Sequence, residues 1–373
     1  MAMTRQETML NLSEPGAQRF RLFGREEIEA AMNRALEHQR GNERLPEALR
    51  RLAGKSIPDA WECLAVPTPL AALDLLLRDK HWTGDAAGAL PGEPKALELM
   101  RLHGLDAESF GDVGRLGDSS AVRMEAARML YLEQAGWESA GGAEAREAGA
   151  MEPLAVPSGC RLAVVRLPDC RWGAQGRAWT DGEDGWRLLG AGGPKLAFGT
   201  GPDRTEVAAI GSLSTGMPGV ETAWIAAEPQ MIRRLAGLQR ASGTAGLLGG
   251  RIMEELLEIG SLSERIKEAA AGWDAALQHL EAALRTTMAP SVGWRRAARA
   301  GELSLLLPEG LGLAALAKAA RLKGISFSGG SIQGRGRPRA VVTISCEAGS
   351  GEARLEHGVR LLGETIGEFQ ARS

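Results

Sequence analysis

Residues 206–227 read EVAAIGSLSTGMPGVETAWIAA, with unbroken apolar runs at EVAAIG (206–211) and AWIAA (223–227). Apolar runs this short, without polar alternation, suit strands covered on both faces of a sheet, because neither face has to meet water. RLAVVRL (161–167) and PKLAFG (194–199) have the same character. Together these runs predict an α/β layer with a buried sheet.

Outward from that layer the pattern is helical. Thr68 followed by Pro69 predicts a helix start, since a hydroxyl can cap free N–H groups and proline has none to lose at the first position. Leu70, Leu73 and Leu77 would then face the core of a helix over 69–79. Residues 86–150 are rich in Ala, Gly and charge and read as mainly helical, Tyr131 included, and GWESAGGAEAREAGAME (136–152) reads as a linker or loop. Near the start, NLSEPG (11–16) forms an arm before a helix in which Ile28, Met32 and Leu36 recur at helical spacing. From 228 onward helices dominate again. Ser261 and Glu264 form a capping-box pair, and Ile266, Trp273, Leu277, Leu280 and Leu284 run along one face of a long helix. A small α+β unit closes the chain: strand 303–307, helix 313–323, strand ISFS, a Gly/Arg loop, strand AVVTIS and a final helix striped by Leu355, Val359, Leu362, Ile366 and Phe369. No internal repeat is visible.

Composition narrows the function classes. At 373 residues the chain is long enough for two domains, and 44% apolar content is ordinary for a globular protein. Lys+Arg 44 against Asp+Glu 47 gives a net charge of -3, so there is no global electrostatic case for nucleic acid or an anionic membrane. MAMTRQETMLNLSEPG holds no long apolar segment, and no run approaches the roughly 18 apolar residues of a membrane span, so a cytoplasmic address is expected. Cys63, Cys160, Cys170 and Cys346 stand apart from each other and from the five histidines, which predicts free thiols and no metal site. Lysine is rare beside arginine, Tyr131 is the one tyrosine, and asparagine occurs only at 11, 33 and 42.

GSLSTGMPGVETAW (211–224) resembles the active-site segment of the fold type I, class I/II aminotransferases, which runs Gly-Ser-x-Ser-Lys, a short loop, Pro-Gly, Leu-Arg and a Gly-Trp or Gly-Tyr strand. LAALDLLL, LKGISFSGGS and ARLEHGVRLLGETIGEF are similar to the helix after the phosphate loop, the Gly-Val-x-Phe-x-Pro-Gly-Ser segment and the C-terminal helix of that family. The order of elements is most like the aminotransferase-like domain of MocR/GntR-type regulators. The likeness is strong over 205–227 and 301–370. It implies an α/β fold: a large domain with a mainly parallel sheet plus a small α+β domain formed from both termini. The divisions implied are an arm and helix at 1–42 packing with the small domain, the large domain at 43–240, a long connecting helix at 241–290 and the small domain at 291–373. It also implies pyridoxal phosphate as the family cofactor and a homodimer as the family assembly.

The residues that serve this cofactor in the family are replaced here. Thr215 takes the place of the Schiff-base lysine, and a hydroxyl is not an amine. Glu221 takes the place of a phosphate-binding arginine, and like charges in a partly buried site repel by several kcal/mol. Val66-Pro67-Thr68-Pro69 replaces the phosphate cup with two residues that lack an N–H. The carboxylate that pairs with the pyridine nitrogen would fall near Arg166 or Leu167, with Asp169 available only by a register shift. The substrate-carboxylate arginine corresponds to Thr343. Ser212 and Ser214 survive and remain candidates for cofactor contact.

The expected function is therefore a degenerate aminotransferase-like protein without a cofactor. It would serve as a structural or regulatory partner, in a homodimer or a heterodimer with an active relative, or as a small-molecule sensor. The alternative is an active pyridoxal-phosphate aminotransferase whose amine comes from Lys195, Lys318 or Lys323. A further alternative is a regulator touching DNA through Gly334-Arg335-Gly336-Arg337-Pro338-Arg339, which resembles an AT-hook core. The same residues also suit a hairpin loop, and one short basic turn gives weak affinity. ASGTAGLLGG (241–250) lacks the Gly-Lys-Ser/Thr ending of a phosphate loop and reads as a helix junction.

Overall fold

The computed structural model describes residues 9–13, 22–37, 44–54, 57–90, 94–109, 126–133, 138–139, 154–155, 159–167, 178–182, 185–189, 196–197, 205–213, 223–242, 247–259, 262–297, 299–332, 339–346 and 352–371. A seven-stranded sheet organises the large domain, in the order Glu62–Val66, Ala223–Ala227, Glu206–Ser212, Leu162–Arg166, Met129–Glu133, Ala86–Leu90, Asp106–Ser109. All pairings are parallel except those of Ala223–Ala227, which runs against both neighbours.

Both faces of this sheet are covered, as the unbroken apolar runs required. Successive residues of a strand point to opposite faces. Ala163, Val165, Ala209, Trp224 and Ala226 belong to the cluster under helices Leu45–Ala53 and Leu247–Leu257. Leu162, Val164, Ala208, Ile210 and Ile225 belong to the cluster under helices Pro69–Arg78, Pro94–Leu102 and Pro229–Ser242. Helix Leu262–Thr287 serves two cores in turn: Ile266, Ala269 and Trp273 sit in the first of these clusters, and Leu277, Leu280 and Leu284 sit in the core of the small domain.

The small domain is built around a five-stranded antiparallel sheet, ordered Ser328–Ile332, Arg339–Ser345, Glu302–Leu306, Gly293–Arg296, Glu138–Ser139. Helices Leu313–Leu322 and Glu352–Gln370 cover it through Leu316, Ala320, Leu355, Val359, Leu362 and Ile366. Gly324 takes φ 78, the left-handed conformation that ends the first of these helices cheaply only for glycine. From the N-terminal side, Leu10–Asn11 pairs in parallel with Ile325–Ser326, and Leu10 and Leu12 enter this core. The protein is thus an α/β fold with a large, mainly parallel sheet and a small α+β domain drawn from both termini.

Several local expectations change. Among the described residues of 86–150, AAGAL, DAES and MLYLE are strands of the large sheet and not helices, so Tyr131 lies on a strand, with helix Pro94–Leu102 between the first two. Leu196–Ala197 does not join the large sheet. It lies in a four-stranded sheet with Leu154–Ala155, Gly185–Leu189 and Ala178–Gly182. Glu138 and Ser139, read as linker, pair with Gly293–Arg296. Helix Arg25–Glu37 buries Ala31 and Ala35 and leaves Met32 and Leu36 exposed. It lies against helix Leu247–Leu257, and its buried residues, with Leu22 and Phe23, join the large-sheet cluster. Ser261 and most of the Gly/Arg loop lie outside the described residues.

Candidate functional site

In open α/β sheets, ligands bind beyond the carboxyl ends of the parallel strands. Here that edge is defined by register. Val66 pairs with Ala223 and Ala223 with Ser212; alongside, Ile210 pairs with Arg166 and Arg166 with Glu133. Helix Pro69–Arg78 starts immediately after Val66, so its N-terminus belongs to the same edge.

The helix start is spent on itself. Thr68 Oγ1 accepts the Ala71 N–H at 3.0 Å, and the Thr68 carbonyl accepts from Ala72 at 2.9 Å. Pro67 and Pro69 carry no N–H, so the turn offers few donors to an anion. Arg166 ends its strand at 4% exposure, and its Nη1 donates to the carbonyl of Leu167 and, at 3.4 Å, to that of Ile210. Ser212 is fully buried. Its neighbour Gly211 faces Trp224 across the strand pair, and a Cβ on Gly211 would stand 2.1 Å from the indole. The glycine of the Gly-Ser-x-Ser element therefore has a packing cause.

The small domain supplies Thr343, half-buried on strand Arg339–Ser345 and in register with Ser328 and Ser304. Ser13 of the arm bridges that pair: its hydroxyl donates to the Thr343 carbonyl and accepts the Ser328 N–H at 2.8 Å. Sequence reasoning missed this bridge. The available signal was Asn11, whose Oδ1 accepts the Ser13 N–H at 3.1 Å and turns the arm inward.

Thr215, Glu221, Ser214, Asp169 and Lys195 lie outside the described residues, as does Cys170. The other two amine candidates stand elsewhere: Lys318 is exposed on helix Leu313–Leu322, and Lys323 closes that helix in an ion pair with Glu368 at 2.7 Å. Lys80 pairs with Asp79 and Glu206, at the opposite end of strand Glu206–Ser212. Lys95 follows strand Ala86–Leu90, three strands from Glu206–Ser212 and so about 14 Å across the sheet. Arg339, the last arginine of the AT-hook-like run, donates Nε and Nη2 to the Leu307 carbonyl. Burial pushes the thiols of Cys63 and Cys160 up to about 12, which makes them inert at neutral pH. Among the described residues no His, Cys, Asp and Glu group could hold a metal, and no helix is long and apolar enough to cross a membrane.

Several solved structures are similar to the chain. A multiple substrate aminotransferase from Thermococcus profundus matches at TM-score 0.70 and 19% identity over 100% of this chain and 97% of that one. LysN, the α-aminoadipate aminotransferase of Thermus thermophilus complexed with N-(5'-phosphopyridoxyl)-L-leucine, matches at 0.68 and 20% over 100% and 96%. Kynurenine aminotransferase from Pyrococcus horikoshii, in complex with PMP, matches at 0.67 and 16% over 97% and 91%. The chain has the aminotransferase fold. No family model and no curated protein matches it.

Pyridoxal phosphate, the cofactor that the sequence resemblance implies, does not fit the described part of the edge. A protonated pyridine nitrogen needs an acceptor, and a guanidinium has five donors and no acceptor. At the strand end where the resemblance calls for a carboxylate, the protein places Arg166. The helix start that would cradle a phosphate has two prolines and a self-capped threonine.

Proposed function

We propose that this protein keeps the aminotransferase fold without transaminating, and that it acts in the cytoplasm as a structural or regulatory partner. The partner is a second copy or an active relative. The observation that carries this reading is Arg166, buried at 4% exposure and hydrogen-bonded to the Leu167 and Ile210 carbonyls. A buried cation there is a change of sign as well as of shape. It agrees with the sequence changes at Thr215 and Glu221, which remove the amine and the phosphate's positive partner. Losses of unlike groups at separate positions point to chemistry that is no longer used.

Each change matters independently, so restoring one does not restore the reaction. Thr215→Lys, assayed with excess pyridoxal phosphate and a panel of amino donors and keto acids, should show no transamination. Turnover by that single variant would overturn the multi-site argument.

A small-molecule sensor is the second reading, supported by the arm that Ser13 still ties to the small-domain strands of Thr343 and Ser328. Thermal-shift measurement against a metabolite panel separates the two readings: a saturable shift favours the sensor, and its absence favours the partner. Arg339, engaged by the Leu307 carbonyl, weighs against the DNA-contacting alternative.

A further inference from the structure

Gly329 and Gly330 lie in the middle of strand Ser328–Ile332 and pair with Val342 and Val341. A strand loses stability by carrying glycine in its interior, and the usual cause is the close approach of something else. At Gly329 the cause is inside the small domain: a Cβ would stand 2.3 Å from the Val341 carbonyl oxygen. At Gly330 the cause is in the other domain. A Cβ there would stand 2.7 Å from Pro94 Cβ and 2.9 Å from Pro94 Cγ. Pro94 is the first residue of helix Pro94–Leu102, which follows the carboxyl end of large-sheet strand Ala86–Leu90.

A second observation concerns the neighbours of this contact. Val341, in register with Gly330 on one side and Leu306 on the other, is 4% exposed. It belongs to the large-domain cluster of Leu97, Met100, Met129 and Tyr131, with Leu306 packed against the same cluster, whereas Val342 and Ile344 of the same strand belong to the small-domain core. One strand of the small domain therefore contributes to both cores.

We propose that Gly330, Pro94 and Val341 form a latch that seats the small domain on the large domain at the carboxyl edge of the sheet and holds the two domains in one arrangement. Gly330 lets strand Ser328–Ile332 lie flat on the first turn of helix Pro94–Leu102. Val341 fills the apolar space this approach closes. Separating the domains at this flank takes Val341 out of the large-domain core and wets it, so the two domains do not swing apart freely as separate bodies. The latch is independent of whether the sheet edge holds pyridoxal phosphate.

The test is hydrogen exchange by mass spectrometry on the full chain, comparing the parent with Gly330→Ala, Pro94→Gly and the double variant. Gly330→Ala should raise exchange roughly tenfold in both 94–102 and 328–332 while leaving 206–212 unchanged, because cross-domain opening exposes both partners together. Adding Pro94→Gly removes the obstructing ring and should return the double variant to the level of Pro94→Gly alone. Exchange confined to 328–332, or a double variant no better than Gly330→Ala, would overturn the latch, since either outcome makes Gly330 a matter of its own strand. If Gly330→Ala does not fold, Val341→Ala serves instead. The latch predicts that it loosens 94–102 together with 339–345, and loosening of 339–345 alone would contradict it.

Discussion

Gly211 offers a quantitative test of whether the surviving Gly-Ser-x-Ser element is held by packing. In Gly211→Ala the new Cβ would lie 2.1 Å from Trp224 Cζ2, 2.3 Å from Cε2 and 2.8 Å from Cη2. The indole cannot swing away. Trp224 is 0% exposed and packed in the same cluster as Leu49, Trp61, Cys63 and Met253, and its backbone is fixed in register with Gly211. Overpacking a well-filled core costs about 1–3 kcal/mol, and a ring with no open side belongs at the top of that range, so we expect about 3 kcal/mol. Unfolding entropy near 2.1 cal/mol/K per residue gives about 0.8 kcal/mol/K for a chain this long, so Tm should fall by about 4 °C. Scanning calorimetry reads this directly. The physical cause is isolated by a cycle with Trp224→Leu, which removes the obstructing ring: the double variant should recover about 2 kcal/mol relative to the sum of the single losses. A Gly211→Ala protein within about 0.5 kcal/mol of the parent, or losses that merely add, would refute the packing account.

Two further outcomes follow from the charge networks. Burial works against the charged form of Asp79, but Arg234 and Lys80 outweigh it and hold the carboxyl below its ordinary range. A depressed folded value stabilises the protein fully above the unfolded pKa of about 3.9 and loses that effect as pH falls through the folded value. Asp79→Asn should therefore lower the urea midpoint at pH 7 by an amount that shrinks below about pH 4; a gap constant down to about pH 3 would contradict the assignment. Glu281, 4% exposed, takes Arg296 Nε at 2.6 Å and Nη2 at 3.0 Å, joining the long helix to the small-domain sheet. Glu281→Ala leaves a half-buried guanidinium short of its bidentate partner and should cost about 3 kcal/mol in urea denaturation.

The layer architecture was legible because residues 207–211, 223–227 and 162–165 are apolar without alternation, as a sheet covered on both faces requires. The same property hid strand direction. Ala223–Ala227 runs antiparallel to both neighbours, and an unbroken run reads alike in either sense. AAGAL and DAES look helical in sequence because alanine and charge favour helices in isolation; tertiary burial against Leu97 and Met100 overrides that preference. On helix Arg25–Glu37 Ile28 packs against the core as its spacing implied, but Met32 and Leu36 are exposed, since the close approach of helix Leu247–Leu257 selects Ala31 and Ala35. At the candidate site, Arg166 and Thr343 could be placed by motif position. The roles of Gly330 and Ser13 depend on contacts more than two hundred residues away in sequence, which no local pattern encodes.

We propose that this sheet edge does not serve pyridoxal phosphate, and the most direct test is the absorbance spectrum of the purified protein titrated with pyridoxal phosphate, followed by borohydride reduction and peptide mass mapping. The expected result is no saturable visible band beyond that of free cofactor and no lysine labelled in preference to the rest. A saturable band with one reduced adduct, at Lys195 or any other single lysine, would contradict it and identify the amine of an active enzyme.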